Sequence, residues 1–236
     1  MATISYEDLL PEVIPMAPEA PDLLLIRYIR AAVIELCEKT SAYQKDLDPI
    51  TAIADQFEYD FDTPAGTVIH KVQWMTFDGR DLEPTSPSLV EQRYEKWRTS
   101  TTSASGKPEV FVQQGQEKFW LVPKPGATEA DVIRTRVVLK PTHTSSACEA
   151  EVMNDYRDTI VNGTLFRVLR TPGHTFTDMA GAQIYGGLFS QQLVDAERKA
   201  RYGDQPVFRK VKYGGLKGVR DTRKYSGRGL HRSRNF

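Results

Sequence analysis

Cysteine is nearly missing from this 236-residue chain: Cys37 and Cys148 are the two present, each in a segment that reads as helical, with no framework of paired cysteines around them. Stability must then rest on burial and hydrogen bonding, and a reducing compartment is the expected setting. Histidine is sparse as well. His70, His143, His174 and His231 are scattered, with no H-x-x-x-H pair and no cysteine or carboxylate at ligand spacing, so neither a metal site nor a cofactor is expected. The most apolar stretch, Leu23 to Cys37, is broken by Arg27, Arg30 and Glu35 and falls short of the ~20 apolar residues that a membrane span needs. No membrane partner follows. Glu7, Asp8 and Glu12 precede the first basic residue, the reverse of the basic start of a secretory signal, so no export signal is read. Net charge is absent too, 31 Lys+Arg balancing 31 Asp+Glu, and bulk charge draws the chain to neither nucleic acid nor an anionic membrane.

What is present suits a folded soluble domain. With 40% hydrophobic and 26% charged residues, a wholly disordered chain is excluded, and 236 residues are enough to bury a sizeable core. Pro21 to Thr40 reads as a helix, opened by Pro21 and Asp22 and closed near Lys39. Its charges, Arg27, Arg30, Glu35 and Glu38, form a narrow strip, so apolar side chains cover most of the circumference and must meet more than one neighbour. From about Ile50 to Pro141 the period becomes alternating: Gln56 to Phe61, Thr67 to Phe77, Val110 to Gln113, Lys118 to Val122 and Asp131 to Lys140 read as strands of one antiparallel module, with Asp78-Gly79 as a hairpin turn. Ser86-Pro87-Ser88 opens a short helix with a Ser88 to Glu91 capping box, and Thr99 to Gly106 reads as a surface loop. Helical spacing returns from Ala150 to Arg170 and again from Thr177 to Tyr202, the latter burying Ala182, Tyr185, Phe189, Leu193, Ala196 and Ala200. No internal repeat emerges.

The expected fold class is therefore α+β: a bundle of three main helices with an inserted antiparallel β module and an extended basic C-terminal arm. The expected division is residues 1–45 and 145–204 as the helical body, 46–144 as the β module with its short helix, and 205–236 as the arm. Residues 205–236 hold ten of the 31 Lys+Arg and one of the 31 Asp+Glu, leaving 21 basic and 30 acidic side chains, a net of −9, on residues 1–204. Five glycines and few aliphatics prevent the arm from offsetting its own ordering entropy by burial. Its cations are interleaved with Phe208, Tyr213, Tyr225 and Phe236, a composition that fits DNA phosphates or an acidic protein surface equally well. Phe208, Arg209, Lys210, Lys212, Tyr213, Lys217, Arg220, Arg223, Lys224, Tyr225 and Arg228 are the candidate docking residues.

Recognised catalytic patterns are missing. There is no G-x-S-x-G elbow, Cys37 on an apolar helix reads as a core residue, and Gly214-Gly215-Leu216-Lys217-Gly218 lacks the Walker spacing. Asn162-Gly163-Thr164 matches a glycosylation acceptor but sits on a predicted helix, where Gly163 reads as a close helix contact. Asp55, Glu58, Asp60 and Asp62 are split between strand faces and read as solvated edge charge. No enzyme is expected.

Leu25 to Thr40, Phe61-Asp62-Thr63-Pro64-Ala65-Gly66-Thr67, Leu139-Lys140-Pro141-Thr142, and Tyr156 to Gly173 with its Arg170-Thr171-Pro172-Gly173 helix end resemble head-to-tail adaptors of tailed bacteriophages over about residues 4 to 204. The resemblance implies a virion structural protein of the neck. It would form a ring, commonly of twelve copies, docked beneath the portal protein and presenting a platform to tail, nozzle or tail-fibre proteins, with DNA passing through the lumen unread. The family brings no active-site residues. Docking by a C-terminal segment in adaptors favours protein over DNA as the arm's target, and a DNA-binding protein is the alternative.

Overall fold

A computed structural model describes residues 2–94, 97–98 and 105–203, which fall in one compact unit, Met1–Gly203. The arm, with all eleven candidate docking residues, and most of the expected 99–106 loop lie outside the described residues. In chain order the elements are β1 (Thr3–Ser5), a 3-10 turn (Tyr6–Leu9), α1 (Leu10–Val13), a second 3-10 turn (Ile14–Met16), α2 (Asp22–Thr40), β2 (Gln44–Asp46), β3 (Ile50–Ala52), β4 (Glu58–Asp60), β5 (Thr67–Phe77), β6 (Arg80–Asp81) and β7 (Glu83–Pro84). There follow α3 (Pro87–Arg93), β8 (Ser105–Gly106), β9 (Val110–Gln114), β10 (Lys118–Val122), β11 (Lys124–Pro125), β12 (Glu129–Pro141), β13 (Ala147–Glu149), α4 (Ala150–Asp155), α5 (Arg157–Leu169) and α6 (Met179–Tyr202).

The longest strands, β5 and β12, are rich in β-branched residues and pair antiparallel from Ile133↔Phe77 to Pro141↔Thr67. Two register shifts, between Arg136/Val137 and between Val138/Leu139, leave Gln73 and His70 as the extra residues of the β5 side, so His70 sits in a bulge and is partly exposed. Asp78 and Gly79, at φ 49° and 73°, close the expected two-residue turn onto β6. This sheet has the order β2-β12-β5-β6 with β3 also on β12; a second has the order β4-β10-β9-β7; β11-β8 and β1-β13 are two-stranded.

The expected helical bundle with a β insert is overturned. The described chain is a mixed α/β structure with thirteen strands in four sheets against six α-helices, and strands are its commoner element. The helical periods were legible, and the helices do close a smaller core on one another through Val13, Leu25, Leu165, Val168 and Ala182, but the larger core is not theirs alone. One apolar cluster runs from Ile29, Val33 and Leu36 of α2 through Ile69, Met75, Val137 and Leu139 of the long hairpin to Phe111, Phe119 and Leu121 of the second sheet, and takes in Phe189 and Leu193 of α6. Sheet and helices thus share one interior, and burying α2 requires the hairpin. β1 adds to this by pairing with β13, with Tyr6 Oη 3.0 Å from Ser145 Oγ, which stitches residues 3–6 to residues 145–149.

α2 illustrates the point. Its almost wholly apolar circumference is met inside a single copy by α5, α6, β12, α1 and the first 3-10 turn. The segment expected as one helix from Ala150 to Arg170 is broken at Tyr156 (φ −116°, ψ 24°) into α4 and α5. Ser86, not Ser88, caps α3, its side chain accepting from the Leu89 N–H. α5 and α6 interlock through glycines: a Cβ on Gly163 would lie 2.7 Å from the Phe189 ring, and one on Gly186 would lie 2.8 Å from the Phe166 ring. Gly163 is thus the close helix contact that the sequence pointed to, and Asn162 is spent on the same interface, donating to Gln192 Oε1 at 3.0 Å.

Candidate assembly surfaces

The start of α6 is fixed by Asp178, whose Oδ1 accepts from the Ala180 and Gly181 N–H groups, each at 3.0 Å. One face then buries Ala182, Phe189, Leu193 and Ala196 in the order expected, while Tyr185 and Ala200 are half-buried. The other face is unusual. From Met179 to Val194 no residue is charged, yet Met179 (54% exposed), Ile184 (65%), Leu188 (43%) and Val194 (56%) stand open to solvent, alongside exposed Ala180, Gln183, Gly187, Ser190 and Gln191. A Cβ on Gly187 would meet nothing within 4 Å, in contrast to Gly163, Gly181 and Gly186, each pressed by a side chain. Charge resumes only at Asp195.

A cleft of about 420 Å³ lies between α2 and the end of α5, lined by Arg27, Tyr28, Ala31, Arg167, Arg170, Thr171 and Pro172. Arg167 is its anchor, paired with Glu35 and donating to the Gly163 carbonyl at 2.5 Å. Burial draws its guanidinium below the ordinary arginine value, against the opposing pull of Glu35. Arg170 stacks on Phe166 at 4.8 Å, and the Tyr28 and Thr171 hydroxyls lie 3.1 Å apart. A second cleft, of about 550 Å³, runs between the ends of α2 and α6 and the Lys71, Gln73 and Trp74 edge of β5.

Elsewhere the ionisable groups serve structure. Burial raises the Cys37 thiol far above its ordinary value and pushes Cys148 up to about 12, which suits the core role read for Cys37. Tyr6 is raised by burial as well. Of the four carboxylates on the first strand edge, Glu58 accepts from Lys118 Nζ at 2.7 Å and from Trp120 Nε1 at 3.1 Å, and these bonds hold it below the usual glutamate range. It is a cross-strand tie between β4 and β10. Asp60 lies 3.9 Å from the same Lys118. Among the described residues no three His, Cys, Asp or Glu side chains gather as a metal site, and no helix is long and apolar enough to cross a membrane. His174 stacks on Phe176 at 4.8 Å.

These residues build a neutral helix face, an arginine-lined cleft and a frame of structural ion pairs. A structural component of a phage particle is the class that the family match gives. The profile of the SU10 adaptor protein family matches residues 4–209, and the chain belongs to that family, the head-to-tail adaptors of phages, with its place in the virion neck. Among curated proteins none matches the chain. The neutral face of α6 was missed by the sequence reading, which looked for unpaired apolar surface on α2. The sixteen-residue gap between Asp178 and Asp195 was the signal available.

Proposed function

We propose that the protein is one member of a closed ring, of twelve copies, that sits between the portal and the tail and carries out no reaction. The observation that carries this reading is the adaptor family's match across residues 4–209. In it α2, α5 and α6 form the ring wall, the strands face a nozzle, tail or tail-fibre protein, and the arm, through Phe208, Arg209, Lys210, Lys212, Tyr213, Lys217, Arg220, Arg223, Lys224, Tyr225 and Arg228, clasps the portal or a neighbouring subunit. Assembly takes place in the host cytoplasm. The −9 charge of residues 1–204 supports a lumen that repels phosphate, so that the genome slides through during ejection without being held.

Truncation after Gly203 tests the arm. The shortened protein is expected to stay folded and soluble and to lose portal binding in co-sedimentation, while unchanged binding removes the docking role. Ten cations in 32 residues favour a second reading, duplex binding by the arm. Affinity for DNA that falls by orders of magnitude from low to moderate salt supports it, and no binding at low salt eliminates it.

A further inference from the structure

The neutral face of α6 calls for an explanation that the subunit alone does not supply. In a chain with 26% charged residues, sixteen consecutive uncharged ones on a surface helix leave Ile184, Leu188 and Val194 in water, where each forfeits the stabilisation of burial. Gly187 adds to the cost. A glycine inside a helix is destabilising relative to alanine, and here no neighbour in the described chain requires the missing Cβ. The surface pattern is that of an interface centre, apolar and free of charge, with Asp178 at one end and Asp195 and Arg198 at the other as its rim.

We propose that a second copy of this chain covers the Met179–Val194 face of α6, making it the contact through which neighbouring subunits join, an inference that rests on the ring reading above. Two features select a second copy over another protein. The first is charge. Two bodies of net −9 repel, and they touch without burying like charges where the surface is neutral; a cationic partner would gain more at the acidic surfaces than here. The second is size. Sixteen helical residues span about 24 Å, and a single helix face of that length falls short of the ~800 Å² per partner of a stable isolated pair. A ring escapes this limit, because every copy is held on two sides and the last contact to form is intramolecular. Gly187 then marks the point of closest approach.

The test uses the full-length protein, alone and with its portal, by mass photometry across a range of concentrations. Ile184→Glu places an unpaired carboxylate in the contact without touching the core, and association is expected to weaken at least about 100-fold. Gly187→Ala is expected to raise the subunit's melting temperature and to weaken assembly in the same sample, a combination that general misfolding does not produce. A wild-type protein that assembles and an Ile184→Glu variant that assembles equally well overturn this inference and leave the ring intact. A wild-type protein that stays monomeric in both conditions overturns the ring and this contact together. Gln191→Cys carrying a photo-crosslinker gives a second readout, since Cys37 and Cys148 are buried. Crosslinks to a second copy support the contact; crosslinks confined to the portal refute it.

Discussion

Replacing Gly163 by alanine tests the interlock of α5 and α6 at its tightest point. The new methyl would lie 2.7, 2.9 and 3.0 Å from three carbons of the Phe189 ring, distances that Cβ atoms do not tolerate, so the ring or the helix must move. Phe189 has little room: it is 3% exposed, and the Arg167 guanidinium lies 5.5 Å from its ring centre. Overpacking of this kind costs about 1–3 kcal/mol, while the intrinsic preference of a helix for alanine over glycine returns about 0.5–1 kcal/mol. The balance spans about 0–2.5 kcal/mol of loss and centres near 1 kcal/mol, which is about 2–4 °C in melting temperature for a unit of this size. Thermal denaturation followed by circular dichroism, repeated at several protein concentrations to separate subunit stability from assembly, measures it. Phe189→Leu should relieve the clash, so that the double variant loses less than the sum of the single losses. A Gly163→Ala protein that melts higher than the wild type would refute the interlock.

Both thiols are expected to resist a chromogenic disulfide reagent in the native protein at mildly alkaline pH and to react on denaturation, because burial keeps Cys37 and Cys148 protonated; rapid reaction of either in the native fold contradicts the buried core described. At Glu58 the folded carboxyl titrates below its ordinary value of 4.5, mainly through the Lys118 bond, so its stabilising contribution is complete above that value and is lost as pH falls through the lowered one. Because the group is exposed, the effect is small and screened by salt. Urea midpoints of the wild type and Glu58→Gln should differ at neutral pH and converge in acid, and a gap that stays constant across that range counts against the tie.

Legibility followed the length of each element. β5 was bounded residue for residue from alternation, and α2 nearly so from its apolar repeat and the Pro21-Asp22 start, because long elements average over local exceptions. Strands of two or three residues, such as β1, β2, β7 and β8, carry no period of their own and exist because a partner edge is available, as Thr3–Ser5 does on Ala147–Glu149. The break at Tyr156 left no proline or glycine to mark it. The weight of the fold was misjudged for a related reason: apolar stripes say how much of a helix is buried but not whether helix or sheet buries it, and for α2 both do. Of the features around α5 and α6, the internal Gly163 contact was legible as a glycine amid larger residues. The arginine cleft was not, since Arg27 and Arg170 are 143 positions apart and meet only through the packing of α2 on α5.

The continuity of α6 has a mechanical consequence. Twenty-four residues without a break make a rod of roughly 36 Å, whose opening turns carry the neutral face and whose far end is the point from which residue 203 departs. Tilting such a lever at one end swings the other, so whatever seats Ile184 also sets the heading at Gly203. The uncharged opening turns and the last described residue of the unit therefore belong to one rigid body.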